Sequence, residues 1–203
     1  MKTGDRVLVE WSYGPQGAPS AGVRRQLAEQ RKLHLACGTN ILAGWANIDQ
    51  NGGGDVIRWD LTQPLPVEKR SVDFIFNEHF IEHITRDQAG ALLSQCREAL
   101  APGGVLRVST PDLRKLCAEY LAGRTDEWRD VNWLPATPCR LLNEGMRLWG
   151  HQFVYDGAEL RALLAEVGFG TIASRAWRQS PHRALCDLEC RPFHGELIFE
   201  ASE

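Results

Sequence analysis

The stretch Leu33-His34-Leu35-Ala36-Cys37-Gly38-Thr39-Asn40 decides the fold of this chain. It predicts a short buried strand that runs into a turn of small residues. Small residues in such a turn let the backbone approach a ligand closely, and exposed backbone N–H groups favour a polar or anionic group. A tight turn without a ligand fits this motif equally well, because Gly38 is its only glycine. The residues that follow are needed to decide between the two interpretations.

Two aspartates follow the next two predicted strands. The second strand is predicted at Ala46–Ile48 and is followed by Asp49, and the third, at Asp55–Trp59, is followed by Asp60. In open α/β sheets ligands lie beyond the carboxyl ends of the strands. An acid after the second strand can accept hydrogen bonds from both ribose hydroxyls, and one after the third can accept a hydrogen bond from an adenine amino group. Each aspartate alone is more often a turn former, so the order of the strand ends is what favours a nucleoside site.

The rest of the chain alternates short apolar runs with helical patterns, which is typical of a parallel sheet covered by helices. Residues 36–45 and 49–54 are too short for helical crossovers, so we expect turns or single coils there. Pro and Gly in Ala101–Gly104 end the preceding helix. The other predicted elements are the strands Lys32–Leu35, Val72–Asn77, Val105–Ser109, Gly170–Trp177 and Gly195–Ala201, and the helices Val23–Gln30, Asp87–Leu100 and Asp156–Val167.

Together these motifs resemble the class I S-adenosylmethionine-dependent methyltransferases, in particular the small subgroup known as type 11. The similarity runs from about Lys32 to Glu200. It is carried by LHLACGTN (33–40), GWANID (44–49), DLTQPLP (60–66), SVDFIFNEHFIEHI (71–84), REALAPGGVLRVSTPDL (97–113) and GHQFVYDGAELRALLAEVGF (150–169). The resemblance implies an α/β fold with a Rossmann-like, mostly parallel, seven-stranded sheet flanked by helices.

The predicted domain organisation has three parts. Gly and Pro residues in segment 14–22 predict a loosely held N-terminal arm over residues 1–30. The methyltransferase domain is predicted over residues 31–203. Residues 115–149 are predicted to form a helical lid insertion, since an insertion at this end of an α/β enzyme usually supplies specificity.

The resemblance implies S-adenosyl-L-methionine as the cofactor. In such enzymes the turn after the first strand supplies backbone contacts, the acid after the second binds the ribose, and residues after the third meet the adenine edge. The backbone after the fourth strand faces the methionine. The cofactor-binding residues implied in this chain are Ala36, Cys37, Gly38, Asn40, Asp49, Asp60, Leu61 and Asn77.

The turn departs from the family pattern at three positions. His34 replaces the usual acid, and Ala36 and Asn40 replace glycines. Without the acid, a hydrogen bond to the cofactor's amino group is in doubt. Alanine can replace the first glycine provided that its φ stays negative, because alanine disfavours left-handed backbone.

The segment after the fourth strand holds the first candidate for catalysis, since the methyl group is expected to emerge there. His79 is the predicted general base, because an imidazole titrates near neutral pH. Packing against the cofactor or capping the next helix is an equal alternative. His151 is the second candidate, for substrate contact together with Tyr155; a helix-entry motif is the alternative. Glu82 and His83 are interpreted as structural.

The predicted acceptor is a hydroxyl or an amine of a small molecule or glycan-like compound. Trp128, Trp133 and Trp149 in the lid could line its site, or they could form the lid's own core. A catalytically inactive S-adenosylmethionine-binding module and a protein methyltransferase are the alternative functions. Nucleic acid is disfavoured as a partner, because 23 basic residues stand against 26 acidic ones and the net charge is −3. The oligomeric state stays open.

No metal site is predicted from the sequence. His182, Cys186, Cys190 and His194 recur every four residues, but Pro192 breaks any helix that would align them. The region is predicted to be a loop between the sixth and seventh strands. The first residues lack the apolar run of a signal peptide, so the six cysteines are predicted to be reduced thiols in a cytoplasmic protein. No apolar stretch reaches the roughly 18 residues of a membrane span.

Overall fold

A computed structural model of the chain describes residues 18–203. Most of the predicted N-terminal arm, residues 1–17, lies outside the described residues. The strands are β1 (Lys32–Leu35), β2 (Ala46–Asp49), β3 (Val56–Arg58), β4 (Val72–Glu78), β5 (Leu100–Thr110), β6 (Thr171–Ser174) and β7 (Leu197–Ser202). The helices are α1 (Ala21–Ala28), α2 (Arg86–Ala99), α3 (Leu113–Ala122), α4 (Pro138–Arg147) and α5 (Gly157–Glu166).

The strands form one seven-stranded sheet in the order β3-β2-β1-β4-β5-β7-β6. The first five strands in this order pair in parallel, and β7 is antiparallel to both of its neighbours. The predicted α/β fold with a mostly parallel, seven-stranded sheet is therefore confirmed. The strand order reverses between β1 and β4, and ligands of open α/β sheets bind at such a reversal, beyond the carboxyl ends of the strands.

The connections β1–β2 and β2–β3 contain turns in place of the usual helices, as the short spacing predicted. The buried side chain of Asn47 holds the first of these connections in place. Its Oδ1 accepts from the Leu42 N–H at 3.0 Å, and its Nδ2 donates to the Leu42 carbonyl at 3.0 Å. One side-chain amide thus satisfies both backbone polar groups of Leu42 within this connection.

The start of β5 differs from the prediction. Helix α2 ends at Ala99 as expected, but Ala101–Gly104 belongs to the strand instead of forming a loop before it. Val72 pairs with Leu100 and Phe74 with Val105, so the register advances by two residues on β4 and by five on β5. The extra residues form a bulge, which left-handed Gly103 (φ 79°) allows.

Helices α2 and α5 pack in the main core of the protein. Both helices begin at the side-chain caps that their sequences provide, Thr85 and Asp156 respectively. Their apolar faces, including Leu93 and Leu164, pack in the main core with strand residues such as Ile75. No helix among residues 18–203 is both long and apolar enough to cross a membrane.

Helices α3 and α4 follow β5 and pack against each other over a second, smaller core. Gly145 of α4 faces α3 so closely that an added Cβ would lie 2.8 Å from Leu116 Cδ2. The smaller core consists of Leu116, Trp128, Trp133, Leu141 and Val154. Two of the three lid tryptophans therefore do form part of the lid's own core.

A buried ion cluster joins β5 to the loop between β6 and β7. Arg107 is fully buried, and its guanidinium donates to Glu189 Oε1 at 2.6 Å and to Glu200 Oε1 at 2.8 Å. Glu189 lies in the loop, whereas Glu200 lies on β7. The cluster therefore fixes the long loop, residues 175–196, against the face of the sheet.

Candidate functional site

A cavity of about 670 Å³ opens at the carboxyl ends of the parallel strands, beside the reversal in strand order. One wall is the turn after β1 together with the end of β2. A second wall is the end of β4, and the others come from the lid and from the β6–β7 loop. Cavities of a few hundred Å³ or more commonly hold small ligands, so there is room here for a nucleoside cofactor beside an acceptor.

Asp49 holds the turn after β1 against the end of β2. It is buried and lines the cavity, as Ala36 and Gly38 do. Its Oδ2 accepts from the Gly38 N–H at 3.0 Å, and its Oδ1 accepts from the Asn51 N–H at 2.8 Å. A carboxylate has about four acceptor positions, so Asp49 can still accept hydrogen bonds from hydroxyl groups. This arrangement fits the ribose of the expected cofactor.

The backbone at Ala36 contradicts the condition set from the sequence, because its φ is +55° and not negative. A left-handed conformation costs an L-residue about 1–2 kcal/mol. The Cys37 N–H donates to the Ile48 carbonyl at 3.1 Å and holds the adjoining backbone in place. The turn therefore keeps a shape that glycine would adopt without strain.

Asp60 and Leu61 line a second, much smaller cavity, which shares Ala36 and Asp49 with the large one. Its volume is about 10 Å³, enough for about one water molecule. A purine cannot enter this space in the conformation described, although Asp49 and Asp60 do border the same cleft. The adenine contacts of Asp60 and Leu61 therefore stay predictions.

Three of the predicted cofactor-binding residues do not line either cavity. Cys37 is buried, Asn40 Nδ2 donates to the Leu188 carbonyl at 3.3 Å, and Asn77 Nδ2 donates to the Leu35 carbonyl at 3.1 Å. The two amides join the turn to the β6–β7 loop and β4 to β1. These two amides therefore hold the backbone around the cavity and do not line it.

His34, which replaces the usual acid, lies in the sheet and away from the cavity. Its ring stacks on Phe76 with centroids 5.0 Å apart, and its Nδ1 is 3.2 Å from Asn47 Oδ1. Burial lowers the pKa of His34 to about 4. It therefore packs as a neutral side chain behind the turn.

His79 follows β4 directly and lines the cavity, as predicted for the catalytic candidate. Its φ is +50°, and its N–H donates to the Ser109 carbonyl at 2.8 Å. Its Nδ1 lies 3.6 Å from Glu82 Oε1, and its Nε2 lies 3.9 Å from Glu196 Oε1. Burial, together with nearby Arg191, holds the pKa of His79 well below its ordinary value. The near-neutral titration expected from the sequence is therefore wrong for this environment, and the ring is a neutral proton acceptor. Backbone strain of this kind clusters at functional sites.

His151 also lines the cavity, whereas Tyr155 does not. His151 Nδ1 donates to the Gly145 carbonyl at 2.9 Å. Tyr155 is fully buried in the main core, and burial raises the pKa of its hydroxyl. Tyr155 therefore cannot reach an acceptor in the conformation described.

Glu82 and His83, interpreted from the sequence as structural, lie next to His151. His83 lines the cavity, and its ring meets that of His151 edge-on with centroids 4.9 Å apart. Glu82 is fully buried, and its Oε2 accepts from the Thr110 hydroxyl at 2.9 Å. Burial raises the pKa of Glu82 to about 7. The Glu-His pair occurs twice in the sequence, at 78–79 and at 82–83, and this repeat could have indicated the group.

All three lid tryptophans line the cavity as well as packing together. The ring centroids of Trp128 and Trp133 are 5.0 Å apart, and those of Trp133 and Trp149 are 5.1 Å apart. The interpretation as a core is confirmed for Trp128 and Trp133, and contact of the tryptophans with an acceptor stays a prediction. The side chain of Trp149 is the most accessible of the three, with 37% of its surface exposed.

The β6–β7 loop contributes two charged residues, Arg191 and Glu196, to the cavity lining. Neither was predicted there from the sequence. Both oxygens of Glu78, at the end of β4, accept backbone N–H groups of the loop, from Cys190 and Arg191, at 3.2 Å. This contact sets Arg191 and Glu196 on the cavity wall. The predicted loop is therefore present, but it forms part of the site.

The side chains of the four-residue repeat in this loop face separate partners. Cys186 Sγ donates to the Ser180 carbonyl at 3.3 Å, and Cys190 Sγ donates to Glu78 Oε2 at 3.2 Å. His194 Nε2 lies 2.8 Å from Asp130 Oδ1. The ring of His182, the remaining member, lies beside Phe74.

Comparison with known proteins gives one family match and several similar structures. The model of a methyltransferase domain family matches residues 17–174. A search of curated proteins found no significant match.

Three solved structures illustrate the likeness in fold. An S-adenosylmethionine-dependent methyltransferase from Archaeoglobus fulgidus is 14% identical, with a TM-score of 0.53, 90% of this chain covered and 92% of that one. One from Thermotoga maritima, described as a possible histamine N-methyltransferase, is 17% identical, with a TM-score of 0.51 and coverages of 89% and 90%. One from Mesorhizobium loti is 16% identical, with a TM-score of 0.50 and coverages of 90% and 96%.

Proposed function

The chain belongs to the methyltransferase domain family and is an S-adenosylmethionine-dependent methyltransferase, and from this premise we propose that it methylates a hydroxyl or an amine of a small-molecule or glycan-like acceptor. The observation that carries the proposal is a large cavity among residues 18–203 whose lining is of two kinds. The turn after β1 and Asp49 belong to this lining, and so do histidines and tryptophans. A partly enclosed cavity of this size suits an acceptor that can enter it as a whole.

The turn after β1 and Asp49 supply hydrogen-bond acceptors and close backbone. Asp49 would accept from the ribose hydroxyls while keeping its bonds to Gly38 and Asn51. The turn of Ala36 and Gly38 would lie against the methionine portion. When bound, S-adenosylmethionine supplies a methyl group that is already activated by a sulfonium. The chain's own contribution is then chiefly to hold the acceptor in line with that methyl group and to exclude water.

His79 is the side chain that we assign to proton removal from the acceptor. It lies on the cavity wall at the end of β4, the place where the acceptor must meet the cofactor. Its backbone is fixed by the bond to the Ser109 carbonyl, and its ring lies between the carboxylates of Glu82 and Glu196. The backbone bond to Ser109 fixes the point from which the ring reaches the cavity.

Replacing His79 with asparagine should lower kcat by about 10²–10⁴-fold, the usual contribution of a general acid or base. Asparagine is the matched substitution because it tolerates the left-handed backbone found at this position. The affinity for S-adenosylmethionine should stay within a few-fold of the wild type. Steady-state kinetics with calorimetry will measure both, and an unchanged kcat would remove His79 from the mechanism.

The tryptophan wall is proposed to bind the acceptor. Replacing Trp149 with alanine should raise KM for the acceptor about tenfold, because loss of a stacking aromatic ring costs roughly 1 kcal/mol or more. Trp149→Phe is the control, and it should retain most of the affinity. Trp128 and Trp133 are less suitable, since they also hold the lid together. If neither substitution changes KM, the acceptor does not contact this wall.

The proposed function is tested by two measurements on the full chain. Calorimetry should detect S-adenosylmethionine binding, and a labelled methyl donor should transfer its label to members of a panel of small hydroxyl and amine compounds and sugars. Binding without transfer to any acceptor would indicate a catalytically inactive binding module. Label found only on added protein would indicate a protein methyltransferase. Either of these results would overturn the proposal.

A further inference from the structure

We propose that Glu82, His83 and His151 form a site for a divalent transition-metal ion that binds the acceptor's oxygen. Each of the three side chains offers one ligand atom, and these atoms lie within 4.8 Å of one another. The inference rests on the proposed function for its acceptor and narrows that acceptor to a hydroxyl compound. The sequence analysis predicted no metal, so the argument depends on the tertiary structure.

The first observation is a buried carboxylate oxygen, Glu82 Oε1, that accepts no hydrogen bond from the described residues. Glu82 is fully buried, and its Oε2 is satisfied by Thr110. The nearest ring nitrogens are His79 Nδ1 at 3.6 Å and His83 Nε2 at 3.8 Å, both too distant for a hydrogen bond. A buried acceptor left in this state is costly, and a cation among these atoms would remove that cost.

The second observation is the orientation of His151. Its Nδ1 donates to the Gly145 carbonyl at 2.9 Å, so the lone pair of the neutral ring lies on Nε2. Metal-binding histidines usually donate their other ring N–H to a carbonyl or carboxylate in this way. The close packing of Gly145 on Leu116 fixes the position of that carbonyl. The backbone of α4 therefore sets which nitrogen of His151 can bind an ion.

One ion can bind all three atoms only after the side chains move closer together. Bond lengths of about 2.0–2.2 Å place two ligand atoms of a tetrahedral ion about 3.4 Å apart. The three ligand atoms lie within 4.8 Å of one another, so the widest separation would have to close by up to about 1.4 Å when the ion binds.

The ligand types identify the class of ion. Two imidazoles and one carboxylate favour a transition-metal ion such as zinc or iron(II), for which cobalt is a spectroscopic substitute, whereas magnesium and calcium prefer oxygen ligands. Because His83 and His151 line the cavity, the ion would keep an open coordination position that faces the acceptor. A hydroxyl bound there loses its proton more readily. The O–H bond breaks, the electron pair stays on oxygen, and the proton passes to the ring of His79, which lines the same cavity.

The test uses the full chain stripped with a chelator and titrated by calorimetry with Zn²⁺, Mn²⁺, Co²⁺ and Mg²⁺ separately. We expect one transition-metal ion per chain, bound at least tenfold more tightly than Mg²⁺. His151→Ala and Glu82→Gln should each weaken binding more than tenfold, as loss of a ligand requires. The visible spectrum of bound Co²⁺ should change in both variants. Circular dichroism will establish that each variant is folded.

The control is His182→Ala, which removes a histidine of the four-residue repeat outside the cavity. This variant should bind metal as the wild type does. Loss of the ion in His182→Ala but not in His151→Ala would place it in the β6–β7 loop and overturn the proposal. Failure of all four ions to bind at millimolar concentration would also overturn it.

A separate titration with S-adenosylmethionine in the presence of chelator distinguishes the two proposals. If the cofactor binds and methyl transfer proceeds undiminished without metal, the metal site is wrong and the proposed function stands. If the metal binds as expected but no acceptor is methylated, the proposed function is wrong whereas the metal site stands.

Discussion

Replacing Arg107 with alanine should lower the free energy of unfolding by about 3–5 kcal/mol, because removing one partner of a buried ion pair leaves an uncompensated charge. In this chain the buried carboxylate of Glu189 would lose its cation, whereas buried Glu200 would keep only its bond from Arg175. The guanidinium also donates to the Gln179 carbonyl at 3.0 Å. Urea unfolding followed by circular dichroism will measure the change.

Arg175→Ala is the matched control for this prediction. Arg175 donates to the same Glu200 at 2.7 Å, but its side chain is 31% exposed. Water can replace it, so the loss should be less than half of that for Arg107→Ala. Equal losses would show that burial of the Arg107 pairs does not set their contribution. Because the β6–β7 loop carries Arg191 and Glu196, Arg107→Ala should also weaken acceptor binding.

Replacing Asp49 with alanine should weaken S-adenosylmethionine binding by about 1–3 kcal/mol, which is roughly 5- to 150-fold in affinity. The carboxylate holds the backbone of Gly38 and Asn51, and it is the proposed acceptor for the ribose hydroxyls. Both the shape of the turn and the ribose contact are lost together in this variant. Isothermal titration with the cofactor will measure the change.

Two further variants separate these causes. Asp49→Asn retains one oxygen acceptor and should fall between alanine and the wild type. Asp55→Ala, at an exposed position in the same β2–β3 connection, should bind the cofactor normally. An Asp49→Ala protein that binds S-adenosylmethionine with unchanged affinity would mean that the ribose does not lie at this strand end.

The sequence predicted the residues that line the cavity at the β1–β2 edge better than those on its other walls. The turn after β1 and Asp49 lie close together in the chain, and parallel pairing of β1 with β2 brings both to one edge. Prediction from local pattern succeeds there because few long-range contacts intervene. It was less successful at Asn40 and Asn77, whose amides turned out to bond with distant backbone.

The other walls depend on segments far apart in sequence. Glu82 and His83 follow β4, whereas His151, which lies beside them, follows α4. Glu78 and Arg107 hold the β6–β7 loop at the cavity. Such contacts have no periodicity that a single sequence can reveal. Tyr155 is an example of the opposite error. Because it lies close to His151 in the sequence, it was predicted to contact the acceptor, but it is fully buried in the core.

The sequence by itself determined the order of strands and helices, the mostly parallel sheet and the turn that follows β1, because hydrophobic periodicity and local capping are encoded within each segment. Only the tertiary structure decided which side chains share the cavity and which nitrogen of His151 faces it. Those outcomes depend on side chains brought together across the sheet by packing, and packing is a property of the whole chain.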